Sequence, residues 1–240
     1  MGSTGFKAAL FDLDGTLLGV DTASFIAGYL RRLGEWMAEV VNPGELTSHL
    51  WTSTMAMVES IDPATTNADV FWADFPGRTG RPREFWEPRF ERFYREEYPR
   101  LRPPGLNGEA DARAAVEAAL DRGLQLVLAT NPLFPEQAIR ERMRWAGVLD
   151  YPWTLVTTFD NMHACKPRPE YYREVLQRLG RRPEECLMVG NDTEEDGVAT
   201  RVGMHLYLVT DYLVNRRGGA LPASSGPLAA LPAWLKGTGN

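Results

Sequence analysis

Cysteine is almost missing from this 240-residue sequence, where Cys165 and Cys186 stand alone. Two thiols so far apart build neither a disulfide framework nor a four-ligand zinc site, and they fit a reducing compartment. Histidine is equally sparse. His49, His163 and His205 are scattered along the chain, so no histidine metal centre is expected. No apolar run reaches the roughly 18 residues of a membrane-spanning helix, and the short one in MGSTGFKAALF falls below a signal peptide. The expectation is a cytoplasmic protein with no membrane partner. Positive charge is also short: 26 Lys and Arg face 32 Asp and Glu, for a net charge of −6 and a pI near 5.2. No global field draws in nucleic acid, so an anionic substrate needs local groups to hold it.

What remains is ordinary for a folded domain, with 44% hydrophobic and 24% charged residues. Five short apolar runs read as buried strands: FKAALF from Phe6, LQLVLAT from Leu124, TLVTT from Thr154, CLMVG from Cys186 and HLYLVT from His205. They are continuous, as strands covered on both faces are. Helical patterns separate the last four. PEQAIRERMRWAG ends at Gly147, PEYYREVLQRLG at Gly180 and TEEDGVATRVG at Gly203, each glycine a C-terminal cap signal. This alternation predicts an α/β fold with a doubly wound, parallel, five-stranded Rossmann-like core.

Between the first strand and the second lie about a hundred residues, far more than a crossover helix requires. Three segments there carry helical periodicity: Phe25 to Met37, Leu46 to Ile61, and Trp86 to Tyr94. An inserted helical cap domain is expected over 18–104, with the core formed by 1–17 and 105–240. The segment RRGGALPASSGP reads as a surface loop and LAALPAWL as a short tail helix.

Ligands of open parallel sheets bind at the carboxyl ends of the strands. The first strand ends in Asp12 and Asp14 and the second in Thr130 and Asn131. Lys166 follows the third, and Asn191 and Asp192 follow the fourth, with Glu194, Glu195 and Asp196 behind. Residues i and i+2 of a strand share a face, so Asp12 and Asp14 crowd negative charge and one pKa should rise. A Mg²⁺ ion, which takes oxygen ligands, would relieve that crowding and hold a phosphate oxygen, while Lys166 offsets further phosphoryl charge.

The ordered set DLDGT, ATN, KP and GND with a later Asp resembles the haloacid dehalogenase-like hydrolase superfamily. The likeness spans roughly residues 6 to 16 and 106 to 212, and the insert is similar to the helical cap of its phosphoglycolate phosphatase and β-phosphoglucomutase branch. The resemblance implies a Mg²⁺-dependent phosphatase of a small phosphorylated metabolite. Asp12 would be the nucleophile, Asp14 the general acid and base, Thr130 and Asn131 the phosphate-binding groups, and Lys166 the charge-balancing cation. Asp12, Asp14 and Asp192 would hold the metal. Two registers stay open on the fourth loop: Asn191 as ligand with Glu195 four residues on, or Asp192 with Asp196 four residues on. The second is preferred because an anionic ligand binds Mg²⁺ more strongly than an amide. A phosphomutase of sugar phosphates and a weakly catalytic phosphate-binding protein are the alternatives.

Arginines interleave with aromatics from Arg81 to Pro104, and helical i,i+4 pairs such as Arg92 with Glu96 and Glu91 with Arg95 account for them on a solvated face. One cap arginine facing the sheet would instead grip a second anionic group of the substrate.

Overall fold

The computed structural model describes residues 5–237. Chain order runs β1 (Ala8–Phe11), then four helices, α1 (Thr22–Trp36), α2 (Pro43–Glu59), α3 (Asn67–Thr79) and α4 (Arg83–Glu96). After them come α5 (Glu109–Asp121), β2 (Gln125–Leu128), α6 (Glu136–Trp145), β3 (Trp153–Val156) and α7 (Pro169–Leu179). The chain ends with β4 (Cys186–Gly190), α8 (Val198–Arg201), β5 (His205–Val209), β6 (Ser225–Gly226) and α9 (Leu231–Gly237).

The strands pair in parallel in the order β3-β2-β1-β4-β5-β6. All five expected strands are present. The two-residue β6 lies in the segment read as a loop and pairs with Leu208 and Val209 at the sheet edge. Alternation along each strand sorts side chains to two faces. Ala9, Phe11, Leu126, Leu128, Leu187 and Val189 meet α5, α6 and α9 on one face. Ala8, Leu10, Val127, Cys186 and Met188 meet α7 and α8 on the other. Burial on both sides is why these runs are apolar without a break.

The third expected helix of the core is shorter than its pattern. Asp192 accepts from the Glu194 and Glu195 amides at 2.7 and 3.0 Å, so residues before Val198 are held in turns and only four residues are helical.

The insert holds four helices where periodicity marked three. The additional one is α3, whose sequence NADVFWADFPGRT carries Pro76 and Gly77 inside the helix. Tertiary contacts and its Thr66–Asp69 capping box sustain it against that poor propensity. Its first turn is bonded to the core: the Asn67 amide donates to Met162 O at 2.8 Å and the Ala68 amide to Phe159 O at 2.9 Å. Aromatic contacts join α1 to the elements after β2 as well, with Phe25 edge-on to Trp145 and Tyr29 edge-on to Phe134, ring centroids 6.0 and 5.2 Å apart. No helix among the described residues is long and apolar enough to cross a membrane.

Candidate active site

Strand β1 is central, flanked by β2 and β4, and the chain winds to opposite sides of it, which opens a crevice at the carboxyl ends. The Asp12 amide still donates to Val189 O at 2.9 Å, so Asp12 leaves the sheet as its last paired residue. Gly15 then turns the chain at φ +83°, and a Cβ there would collide with the Asn191 amide. Gly190 has a parallel role, because a side chain would occupy the place of the Asp196 carboxylate.

Lys166 joins the site's acids. It is 1% exposed, with Nζ donating to Asp12 Oδ1 at 2.9 Å and to Asp196 Oδ1 at 2.6 Å. Burial acts to lower its pKa, yet the Asp12 and Asp196 carboxylates more than offset this and it stays well above the ordinary lysine value. Asp196 also accepts from the Asp192 amide at 2.9 Å, and burial pushes its carboxyl up to about 6. Thr16, which completes the DGT sequence, places its hydroxyl 3.2 Å from Asp12 Oδ2 and 3.1 Å from Asn191 Oδ1.

Asp14 meets a group that sequence reasoning missed. Its Oδ2 is paired with Nη1 of Arg142, an arginine of α6 only 1% exposed and lying over the Phe134 ring with its guanidinium carbon 4.5 Å from the centroid. The signal was present in the sequence: Arg142 falls on the buried stripe of Ala138, Ile139 and Met143. Asp14 Oδ1 and Arg142 Nη2 are buried without a hydrogen-bond partner. Burial raises the pKa of Asp14 while Arg142 pulls it down, with a net upward shift. Asp12 is raised too, chiefly by burial.

Asn131 uses its side chain to brace the site, accepting from the Lys166 amide at 3.2 Å and donating to Glu195 Oε2 at 3.1 Å. Thr130 is buried beside it, its carbonyl accepting from Thr157 and from Tyr171 at 2.7 and 3.0 Å. Glu195 is pushed by burial up to about 7. A cavity of about 160 Å³ is lined by Asp12, Asp14, Thr130, Asn131, Asn191, Asp192, Glu195 and Asp196, so the expected residues do converge, with Lys166 beneath Asp12.

The expected carboxylate trio for a metal is engaged with other partners in this structure. Asp14 is committed to Arg142, while Asp192 accepts its own loop amides on Oδ1 and Arg216 on Oδ2 at 2.7 Å. Among the described residues no group of three or more His, Cys, Asp or Glu side chains is arranged to hold a metal ion. Asn191 lines the cavity beside Asp192. Its Nδ2 donates to Tyr212 O at 2.6 Å, which leaves Oδ1 turned toward Thr16 and Asp12. Asp12 and Asn191 thus each turn an oxygen to the Thr16 hydroxyl in a cavity that Asp14, with one unpartnered carboxylate oxygen, also lines. This set of hard oxygens suits Mg²⁺, which takes one or two protein oxygens and fills the rest with water and phosphate.

Arginines of the insert are engaged locally. Arg83 pairs with Glu87, Arg92 with Glu96 and Arg100 with Glu97, whereas Arg95 pairs with Glu96 rather than with Glu91. None of these pairs reaches the strand ends. His163 is held by Glu174 at 2.7 Å, and both cysteines are buried with thiols raised to about 12 by burial.

The sequence profile described as haloacid dehalogenase-like hydrolase matches residues 6–200. The chain is 25% identical over 203 residues to YhcW of Bacillus subtilis, itself named only as a candidate phosphatase, covering 85% of this chain and 83% of that one. A HAD phosphatase from Thermococcus onnurineus superposes with a TM-score of 0.59 at 24% identity, over 98% of this chain and 100% of that one. A 2-haloacid dehalogenase from Pseudomonas syringae superposes with a TM-score of 0.61 at 22% identity, over 96% and 98%. At these identities the two solved structures speak for the fold alone.

Proposed function

The chain belongs to the haloacid dehalogenase-like hydrolases, and from that premise we propose that it is a Mg²⁺-dependent phosphatase working through a phosphorylated Asp12. The observation that carries this reading is the pairing of Asp12 with the buried Lys166 beside Asp14 in one small cavity. Two carboxyl groups two residues apart, in different electrostatic settings, suit different roles.

In the first half-reaction an Asp12 oxygen attacks phosphorus and the bond from phosphorus to the substrate's alcohol oxygen breaks. Asp14 gives its proton to the departing oxygen. Its upward-shifted pKa favours the protonated form that this step needs. In the second, Asp14 takes a proton from water as the water oxygen bonds to phosphorus, and the phosphorus bond to Asp12 breaks. Inorganic phosphate and free Asp12 result. Arg142 acts through Asp14 as a positioning residue, holding one oxygen so that the other faces the cavity. Lys166, Thr130 and the Asn131 amide receive phosphoryl oxygens.

Mg²⁺ would be held by Asp12 and the Asn191 amide oxygen, and would supply charge neutralisation and orientation of a phosphoryl oxygen. Its need is supported by charge: five acids (Asp12, Asp14, Asp192, Glu195, Asp196) face three cations (Lys166, Arg142, Arg216), before a phosphate dianion enters. A 2-haloacid dehalogenase reading, which the shared fold alone would allow, is disfavoured because Asp14 is an acid suited to a leaving alcohol.

Purified protein with Mg²⁺ should release phosphate from p-nitrophenyl phosphate, and Asp12→Asn should abolish it. Tight phosphate binding without turnover would favour the binding-protein alternative. Isomerisation of a sugar phosphate without net phosphate release would favour a mutase. We place the helices of 18–104 as a cap over the strand ends that limits water access during the reaction.

A further inference from the structure

A second cavity, about 620 Å³, lies between α1–α4 of the insert and the loops after β2 and β3. It shares Ile26, Leu133 and Phe134 with the small cavity at the strand ends, so the two volumes meet at a common wall. We propose, resting on the phosphatase reading, that this space receives the alcohol part of the substrate, and that the substrate is a phosphate monoester of a large, apolar alcohol.

The interior is mainly apolar. Leu50, Met57, Phe71 and Phe90 are buried along it. Its inner hydroxyls are satisfied by each other, Tyr29 Oη lying 2.9 Å from Tyr94 Oη, and burial holds both phenols neutral. Trp51 stands at the mouth, 64% exposed beside this apolar space, where a bound apolar group would cover it. The volume falls within the range of about 300–1,000 Å³ that accommodates drug-sized ligands, far more than a two- or three-carbon alcohol needs.

Charge at the rim excludes another class. Glu87, Glu91, Glu136 and Asp160 line it, with Arg83 the cation among them and already paired with Glu87 at 2.5 Å. A second phosphate or a carboxylate at the far end of the substrate would meet repulsion there. The expectation that an insert arginine grips a second anionic group is therefore replaced by one of apolar recognition.

The test compares methyl, butyl and octyl phosphate in the Mg²⁺-loaded protein. Each fully buried methylene is worth about a factor of four, so the four extra methylenes of octyl phosphate set a ceiling of about 250-fold over butyl phosphate in kcat/KM, and partial burial still gives at least about tenfold. Thr54→Trp, which fills part of the cavity, should shrink the octyl to methyl ratio. Hydrolysis of all three esters within about twofold of one another overturns the inference while the phosphatase reading stands. If no ester is hydrolysed, that reading falls, and calorimetric binding of octylphosphonate against methylphosphonate decides the inference. Tighter binding of the octyl compound supports it, and equal binding overturns it.

Discussion

Replacing Lys166 by Met isolates the electrostatics on which the site rests. The ammonium is fully buried between two carboxylates, at 2.9 Å from Asp12 and 2.6 Å from Asp196. With an effective dielectric of about 20 each attraction is about 6 kcal/mol, opposed by the desolvation of all three charges. Deleting one partner of such a buried pair costs about 3–5 kcal/mol, because the acids stay behind without compensation. Methionine matches the lysine stem, so packing loss is minor. We expect Lys166→Met to lose about 4 kcal/mol at pH 8 by urea unfolding, a large share of a typical domain's stability of about 5–15 kcal/mol.

The loss should depend on pH with a definite sign. A carboxyl whose folded pKa is raised favours the fold below its unfolded pKa and loses that contribution as pH rises through the folded value. Asp196 is at about 6 even beside the lysine, and removing the cation raises both acids further. The deficit should therefore be smallest near pH 5 and grow toward pH 8. Adding Asp12→Asn to the variant should recover part of it, a coupling that a double-mutant cycle reads directly. A loss below about 1 kcal/mol at pH 8 that is the same at pH 5 would refute the view that these three charges hold one another in place.

Arg142→Met leaves Asp14 without its cation, so its pKa rises and its ionised form, needed to activate water, appears only at higher pH; the acid limb of the kcat profile should move up, and an unmoved limb would remove Arg142 from the mechanism. Glu195→Gln should abolish a loss of stability in the metal-free protein that develops as pH rises from 4.5 through about 7. That loss is on the order of 2 kcal/mol once partial exposure is allowed for, and urea titrations at pH 5 and 8 measure it. Chelation of Mg²⁺ should stop turnover, and Asn191→Asp, by adding an anionic ligand, should tighten Mg²⁺ binding by roughly tenfold in calorimetry; unchanged affinity would take position 191 out of the metal site.

Sheet and site differed in how openly the sequence declared them. CLMVG was readable from Cys186 to Gly190 because burial on both faces leaves no polar position in the strand. The strand-end residues were legible for the converse reason: polar side chains after a buried strand need a purpose. Helix α3 was hidden by Pro76 and Gly77, which lower local propensity, while its bonds to Phe159 and Met162 are long-range and leave no periodic trace. Arg142 was masked among the solvated arginines of RERMRW, although its place on the apolar stripe of α6 distinguished it. The different engagements of the neighbours Asn191 and Asp192 have no local signature. They depend on Tyr212 and Arg216 from a later loop, which local spacing does not register.

The most direct test is to quench the protein in acid during turnover of a phosphomonoester with Mg²⁺ and to map the phosphoryl group by mass spectrometry. The account predicts an acyl phosphate on the peptide bearing Asp12, labile to hydroxylamine and missing in Asp12→Asn. Sustained phosphate release with no phosphorylated Asp12, or undiminished activity in Asp12→Asn, would contradict it.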